Sequence, residues 1–361
     1  MAPMRAPRLA LALLCLLAAS AIAGCGGDPG TADSTAGDGT TATGRPAPPK
    51  SAFPAPEGRS LREVLKAADG PAEAVVSPAA MAFYPGLNRY PFGVSERDHT
   101  PVSDAEVALY YAKVPAPERR ARSKAGNRGQ QAKAEAQALD EPAVGPFPAV
   151  TETLATEPAF RARTTSEDAD AASVVYAAQL PFSEDGEWRI AAILREGGEL
   201  KGALLPGVTV GGFRRIPQPG QKAPLVHTPT AQDAGGDLSK ITTRIPPDTQ
   251  NKVDYADALG KEPIVLLFAT PQFCQSRVCG PVVDVAEQAQ QEFGNKAAFI
   301  HMEIYNDNDP AERVRPQVRA FHLPTEPWLF TIDRAGVVRD AVEGAFGLEL
   351  MHEAVEKAIA P

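Results

Sequence analysis

Cysteine is scarce in this sequence. Four occur in 361 residues, at positions 15, 25, 274 and 279, too few for a scaffold held by many disulfides. Aromatic side chains make up only 6% of the chain, so any core must lean on Val, Leu, Ile and Ala. Positive charge is also in deficit, with 36 Lys and Arg against 45 Asp and Glu and a net charge of -9. That argues against a nucleic-acid partner, because a phosphate backbone needs a basic surface. No phosphate-cradling glycine loop occurs. His99, His227, His322 and His352 are scattered without metal-ligand spacing. Beyond the N-terminus no apolar run reaches the ~20 residues of a membrane-spanning helix. What the chain has in quantity is 35 Pro and 30 Gly, which favour linkers, turns and strands over helices.

The N-terminus reads as an export signal. Arg5 and Arg8 precede a short apolar run over 9–17, and small residues lead to Ile22-Ala23-Gly24-Cys25. Those four residues resemble the bacterial lipobox. The resemblance implies that residues 1–24 are removed and that Cys25 is lipidated, which anchors the protein on the extracytoplasmic face of the bacterial cell membrane. Ordinary cleavage near Ala23, or an uncleaved anchor, is the plainer alternative. With Cys15 removed and Cys25 lipidated, Cys274 and Cys279 are the only remaining thiols, in an oxidising space.

Residues 25–59 carry almost no large apolar groups and read as a flexible tether. Residues 60–217 read as an all-β domain with a short helix at 61–68. Its strands are expected at 72–77, 88–94, 105–112, 147–154, 172–179, 188–194 and 207–212, and alternation along 105–112 predicts a half-buried strand. A charged stretch at 116–142 reads as a solvated insertion, with a basic docking arm as the alternative. The runs Gly86-Leu87-Asn88-Arg89-Tyr90-Pro91-Phe92-Gly93 and Gly186-Glu187-Trp188-Arg189-Ile190 resemble YtkA-like and related bacterial Ig-like domains, which implies an Ig-like β-sandwich. Residues 218–240 are rich in Pro and Gly and are expected to be a linker. From 241 to 361 strands and helices alternate, with helices expected over 251–259, 281–293, 311–320 and 348–360, an α/β pattern with a mixed sheet.

In that last segment a strand pattern, Ile264-Val265-Leu266-Leu267-Phe268, runs into Phe273-Cys274, and a helix pattern follows Cys279-Gly280-Pro281. A helix N-terminus favours a thiolate, Pro281 suits a first turn, and Arg277 between the cysteines could stabilise a thiolate. The segment Glu326-Pro327-Trp328-Leu329-Phe330-Thr331-Ile332-Asp333 lies downstream. Together these resemble thioredoxin-like extracytoplasmic proteins. The resemblance implies a C-terminal α/β thioredoxin fold after the N-terminal all-β Ig-like sandwich. It also implies a redox dithiol with Cys274 attacking and Cys279 resolving, and an extended substrate bound beside Phe273, Glu326 and a cis Pro327. Pro324 competes for that last role. The chain departs from the family in having four residues between the cysteines, Gly-Pro after the second, and Phe273 in place of Trp.

The expected activity is thiol–disulfide exchange with a protein disulfide or dithiol, needing no cofactor. Three alternatives stay open. The protein could be a non-catalytic partner-binding module with Cys274–Cys279 as a permanent staple, although so short a loop gains little by chain entropy. The pair could bind Cu(I) together with His301, as in Sco-type copper chaperones. Ser276 before Cys279 is weakly similar to a peroxidatic motif.

Overall fold

The computed structural model describes residues 44–115, 124–168, 171–274 and 276–361, with the backbone alone over 124–130. Ser60 starts the first helix: its hydroxyl accepts from Glu63 N, and the Glu63 carboxylate accepts from Ser60 N at 2.8 Å. This reciprocal cap satisfies two otherwise orphaned donors and fixes α1 (Leu61–Lys66). The chain then runs through β1 (Val75–Pro78), β2 (Gly86–Ser95), β3 (Val107–Lys113), α2 (Lys124–Gln137), β4 (Val144–Pro148) and β5 (Val150–Thr153). Next come α3 (Arg163–Ser166), β6 (Val174–Phe182), β7 (Gly186–Glu196), β8 (Glu199–Leu204) and β9 (Val208–Val210). The last third holds α4 (Tyr255–Ala258), β10 (Ile264–Phe268), α5 (Cys279–Phe293), β11 (Ala298–Met302), α6 (Pro316–Ala320), β12 (Trp328–Ile332), β13 (Val338–Glu343) and α7 (Leu348–Ile359).

The strands form three sheets. One is antiparallel in the order β1-β2-β6-β5, and a second runs β4-β3-β7-β8 with β9 added to β7. Their facing side chains, among them Tyr90, Phe92, Tyr176, Leu109, Tyr111 and Ile190, make one core. Strand β3 is buried on both faces rather than one. Val107, Leu109 and Tyr111 enter that core, while Ala108, Tyr110 and Ala112 pack with Leu61 and Val64 of α1. The alternation is the period of two that a pleat imposes; α1 covers the face expected to meet water.

The third sheet runs β11-β10-β12-β13, with β10 parallel to β11 and antiparallel to β12. Val265 and Leu267 face a cluster built with α5 and α7, which also takes in Leu154 and Val175 from around the first sheet. Ile264, Leu266 and Phe268 face the opposite cluster with Tyr255, Phe321 and Phe330. Residues 218–223 lie along this sheet: Gly220 N donates to Val338 O at 2.8 Å and Ala223 N to Gly336 O at 3.0 Å.

These findings correct the expected architecture. The described residues are mostly β, thirteen strands in three sheets with few helices, and they fall within one compact unit. An Ig-like sandwich followed by a C-terminal α/β thioredoxin fold is not what is seen. The physical reason lies in the connections. A helix expected over 251–259 contracts to the four residues of α4, and one expected over 311–320 to the five of α6. Ahead of α6, Val314 instead bridges Tyr305 in extended backbone. Among the described residues no helix is long and apolar enough to cross a membrane. Cys25 and the expected signal lie outside the described residues.

Candidate functional site

Strand β10 ends at Phe268, and the chain passes through buried Ala269 and Thr270 before reaching the first cysteine. Cys274 and Cys279 are joined as a disulfide with Cα atoms 5.9 Å apart, inside the range such bonds require. Cys279 is the first residue of the 15-residue helix α5, so its sulfur lies where the helix dipole favours negative charge. Cys274 is 4% exposed and Cys279 fully buried. Ser276 is the near neighbour of the outer sulfur, with its Oγ 3.3 Å from Cys274 Sγ.

Two carboxylates were not expected to matter chemically here. Glu326, expected only to flank the substrate, brings a carboxylate oxygen into the sulfur pair: it and both Sγ atoms lie within 4.8 Å of one another. Burial and the charge of Glu303 push the Glu326 carboxyl up to about 7. Glu303 is itself fully buried. One of its oxygens accepts from Thr243 N at 2.6 Å and Thr243 Oγ1 at 2.7 Å. The other has no hydrogen-bond partner among the described residues. Thr243 Oγ1 also accepts from Gln272 N at 3.2 Å, which ties this layer to the cysteine loop. A lone Glu in the apolar run Ala298-Phe299-Ile300-His301-Met302-Glu303-Ile304 is the signal that could have marked it.

The remaining expected residues fall into place as follows. Pro327 is buried, the Glu326–Pro327 bond is cis, and Pro327 O accepts from Gly344 N at 2.9 Å. Phe273 is half-buried beside Cys274. Arg277 pairs with Asp168 at 3.3 Å. Its backbone has a φ of +57°, uncommon for a residue with a side chain.

His301 is placed differently from a free ligand. Its Nδ1 meets Asp248 Oδ2 at 2.8 Å and its Nε2 meets Ala269 O at 3.1 Å, so both ring nitrogens are engaged and the side chain is fully buried. Burial opposes the charge on each partner, but their mutual attraction and hydrogen bonds win. His301 is raised to about 9 and Asp248 lowered to about 2. Both are therefore charged at neutral pH, and His301 donates from both nitrogens. Thr242 Oγ1 and Asn251 Nδ2 also donate to Asp248, at 2.7 and 2.9 Å. The pair thus holds the end of β10, immediately before the cysteine loop.

A cavity of about 1000 Å³ lies elsewhere, lined by Arg45, Leu87, Phe147, Glu152, Gly347 and Leu348 among others; neither cysteine lines it. No protein-family model matches this chain, and no curated protein matches it either.

Proposed function

We propose that this protein is a lipid-anchored, extracytoplasmic thiol–disulfide exchange protein whose working pair is Cys274 and Cys279. The observation that supports it is the joined pair at the N-terminus of α5, with Cys274 4% exposed and Cys279 fully buried. In the reduced state the Cys274 thiolate attacks a disulfide in a partner protein. A Cys274–partner bond forms and one partner thiolate leaves. Cys279, deprotonated, then attacks Cys274 Sγ, releasing the second partner thiolate and closing the Cys274–Cys279 disulfide, so two electrons pass to the partner. Run backwards, the same steps oxidise a dithiol. Cys274 takes the attacking role because it keeps a trace of exposure and Cys279 has none.

The test is a trapping experiment on the full chain. Reduced Cys279→Ser mixed with a disulfide-bonded peptide is expected to hold a stable mixed disulfide at Cys274, and Cys274→Ser to hold none. An absence of mixed disulfide in Cys279→Ser, together with a native bond that resists millimolar dithiol, would reduce the pair to a structural staple. The anchor is tested separately: Cys25→Ala is expected to abolish fatty-acid labelling and release the protein from the membrane fraction.

A further inference from the structure

We infer that the reduced form holds a divalent, thiophilic cation of the zinc class between Cys274 Sγ, Cys279 Sγ and the Glu326 carboxylate. The inference rests on the proposed function only in needing the disulfide to open. The three ligand atoms already lie within 4.8 Å of one another. A tetrahedral zinc, with Zn–S of about 2.3 Å and Zn–O of about 2.0 Å, asks for ligand separations of roughly 3.5–3.8 Å. Opening the disulfide moves the sulfurs apart toward that spacing, and the carboxylate has at most about an ångström to close. Two thiolates with one oxygen suit a borderline cation better than a hard one such as magnesium.

Charge points the same way. Two thiolates and the Glu326 carboxylate bring three anionic donors to one mostly enclosed spot, and buried Glu303 lies in the adjoining layer, joined to the cysteine loop through Thr243. Glu303 also keeps one buried oxygen without a hydrogen-bond partner among the described residues. The Arg277 guanidinium pairs with Asp168. A cation supplies the missing positive charge. His301 takes no part, since Asp248 and Ala269 O occupy its nitrogens. Three protein ligands leave the fourth position to water or to a donor from a partner.

The chemistry balances simply. A phosphine or dithiol supplies two electrons, and with two protons from water these convert the disulfide to two thiols. The cation then displaces both thiol protons to solvent. Oxidation of the pair removes two ligands at once, so the cation is released when the disulfide closes.

The experiment uses the full chain, reduced with a phosphine, desalted without oxygen and titrated with Co²⁺. The expected result is a thiolate-to-cobalt charge-transfer band that saturates at one equivalent and vanishes in Cys274→Ser and Cys279→Ser. In competition with a chromogenic chelator, Glu326→Gln is expected to weaken Zn²⁺ binding by about tenfold or more, and Glu326→His, a different zinc ligand, to restore it. No cobalt–thiolate band in the reduced wild type would overturn the inference, as would Glu326→Gln binding Zn²⁺ as tightly as wild type. Near-UV circular dichroism of each variant guards against misfolding. Peptide-disulfide exchange is measured in parallel with chelator present. Exchange without metal binding sinks this inference alone, whereas metal binding without exchange sinks the proposed function alone.

Discussion

The His301 imidazolium and the Asp248 carboxylate, both fully enclosed, make the clearest case of one residue determining what its neighbours can do. Because His301 is held above its ordinary value, its contribution to stability is complete below about pH 6.5 and is lost as pH rises through about 9. Asp248 is held below its ordinary value, so its contribution is complete above about pH 3.8 and is lost as pH falls through about 2. The contribution of this pair, read in urea unfolding of the oxidised protein as wild type minus His301→Gln, is therefore expected to hold level from about pH 4 to 6.5 and to decline toward pH 9. His301→Gln is expected to cost about 3–5 kcal/mol at pH 6, since it strands a buried carboxylate, and to flatten the alkaline decline. A decline of equal size in the variant would mean that other groups cause it. None of this was legible in the sequence. Asp248 and His301 are 53 positions apart, and a lone His on a strand has no local signal that names its partner.

Helix α5 shows how an element can be legible in position and still obscure in its attachments. The helix was expected over 281–293; it begins two residues earlier, at Cys279, with Gly-Pro inside its first turn. That much follows from local chemistry, because Pro tolerates the first turn. What fixes the helix sideways is buried Asp284, which pairs with Arg244 at 2.9 Å and accepts from Ala162 N at 3.1 Å. Arg244 in turn donates to Phe160 O at 2.6 Å and Pro246 O at 2.9 Å. Two segments remote in sequence thereby meet on the helix that carries Cys279. Asp284→Ala leaves the Arg244 charge buried without its partner and is expected to destabilise the protein by about 3–5 kcal/mol. Urea titration reads that loss, and Arg244→Met with Asp284→Leu together should recover most of it; a double variant as unstable as the single one would assign the cost to packing instead. The same limit of local reading explains the helices expected at 251–259 and 311–320: isolated short helices are marginal, and surrounding contacts held most of those residues in extended or turning backbone.

For the whole molecule, the strands at 86–95, 107–113, 174–182 and 186–196 were legible from alternation and turn residues, while the one strand expected over 147–154 divides into β4 and β5 of different sheets, and the joining of the three sheets was not legible. The join is made by pairs far apart in sequence. Glu343 at the end of β13 accepts from Met81 N at 3.1 Å and Ala82 N at 2.8 Å. Arg89 of β2 pairs with Glu152 at 3.0 Å and donates to Ala345 O at 2.8 Å. Gly344 sits in this seam with a φ of +82°, and a Cβ there would stand 2.6 Å from Ala79 O. Gly344→Ala is expected to cost about 2–4 kcal/mol, combining overpacking with a left-handed backbone, and thermal denaturation should show the drop as one cooperative transition. Two separated transitions would show that the sheets melt independently. Composition could not disclose this seam, because residues 218–240 look like a spacer and a spacer implies separable parts.

The backbone pairing of residues 218–223 with the turn and strand at 336–338 carries a practical consequence for anyone dissecting the chain with a protease. A single nick after Lys222 cuts a peptide bond but leaves both cut ends laced to the same β edge, so the two fragments should co-elute in gel filtration and part only in denaturant.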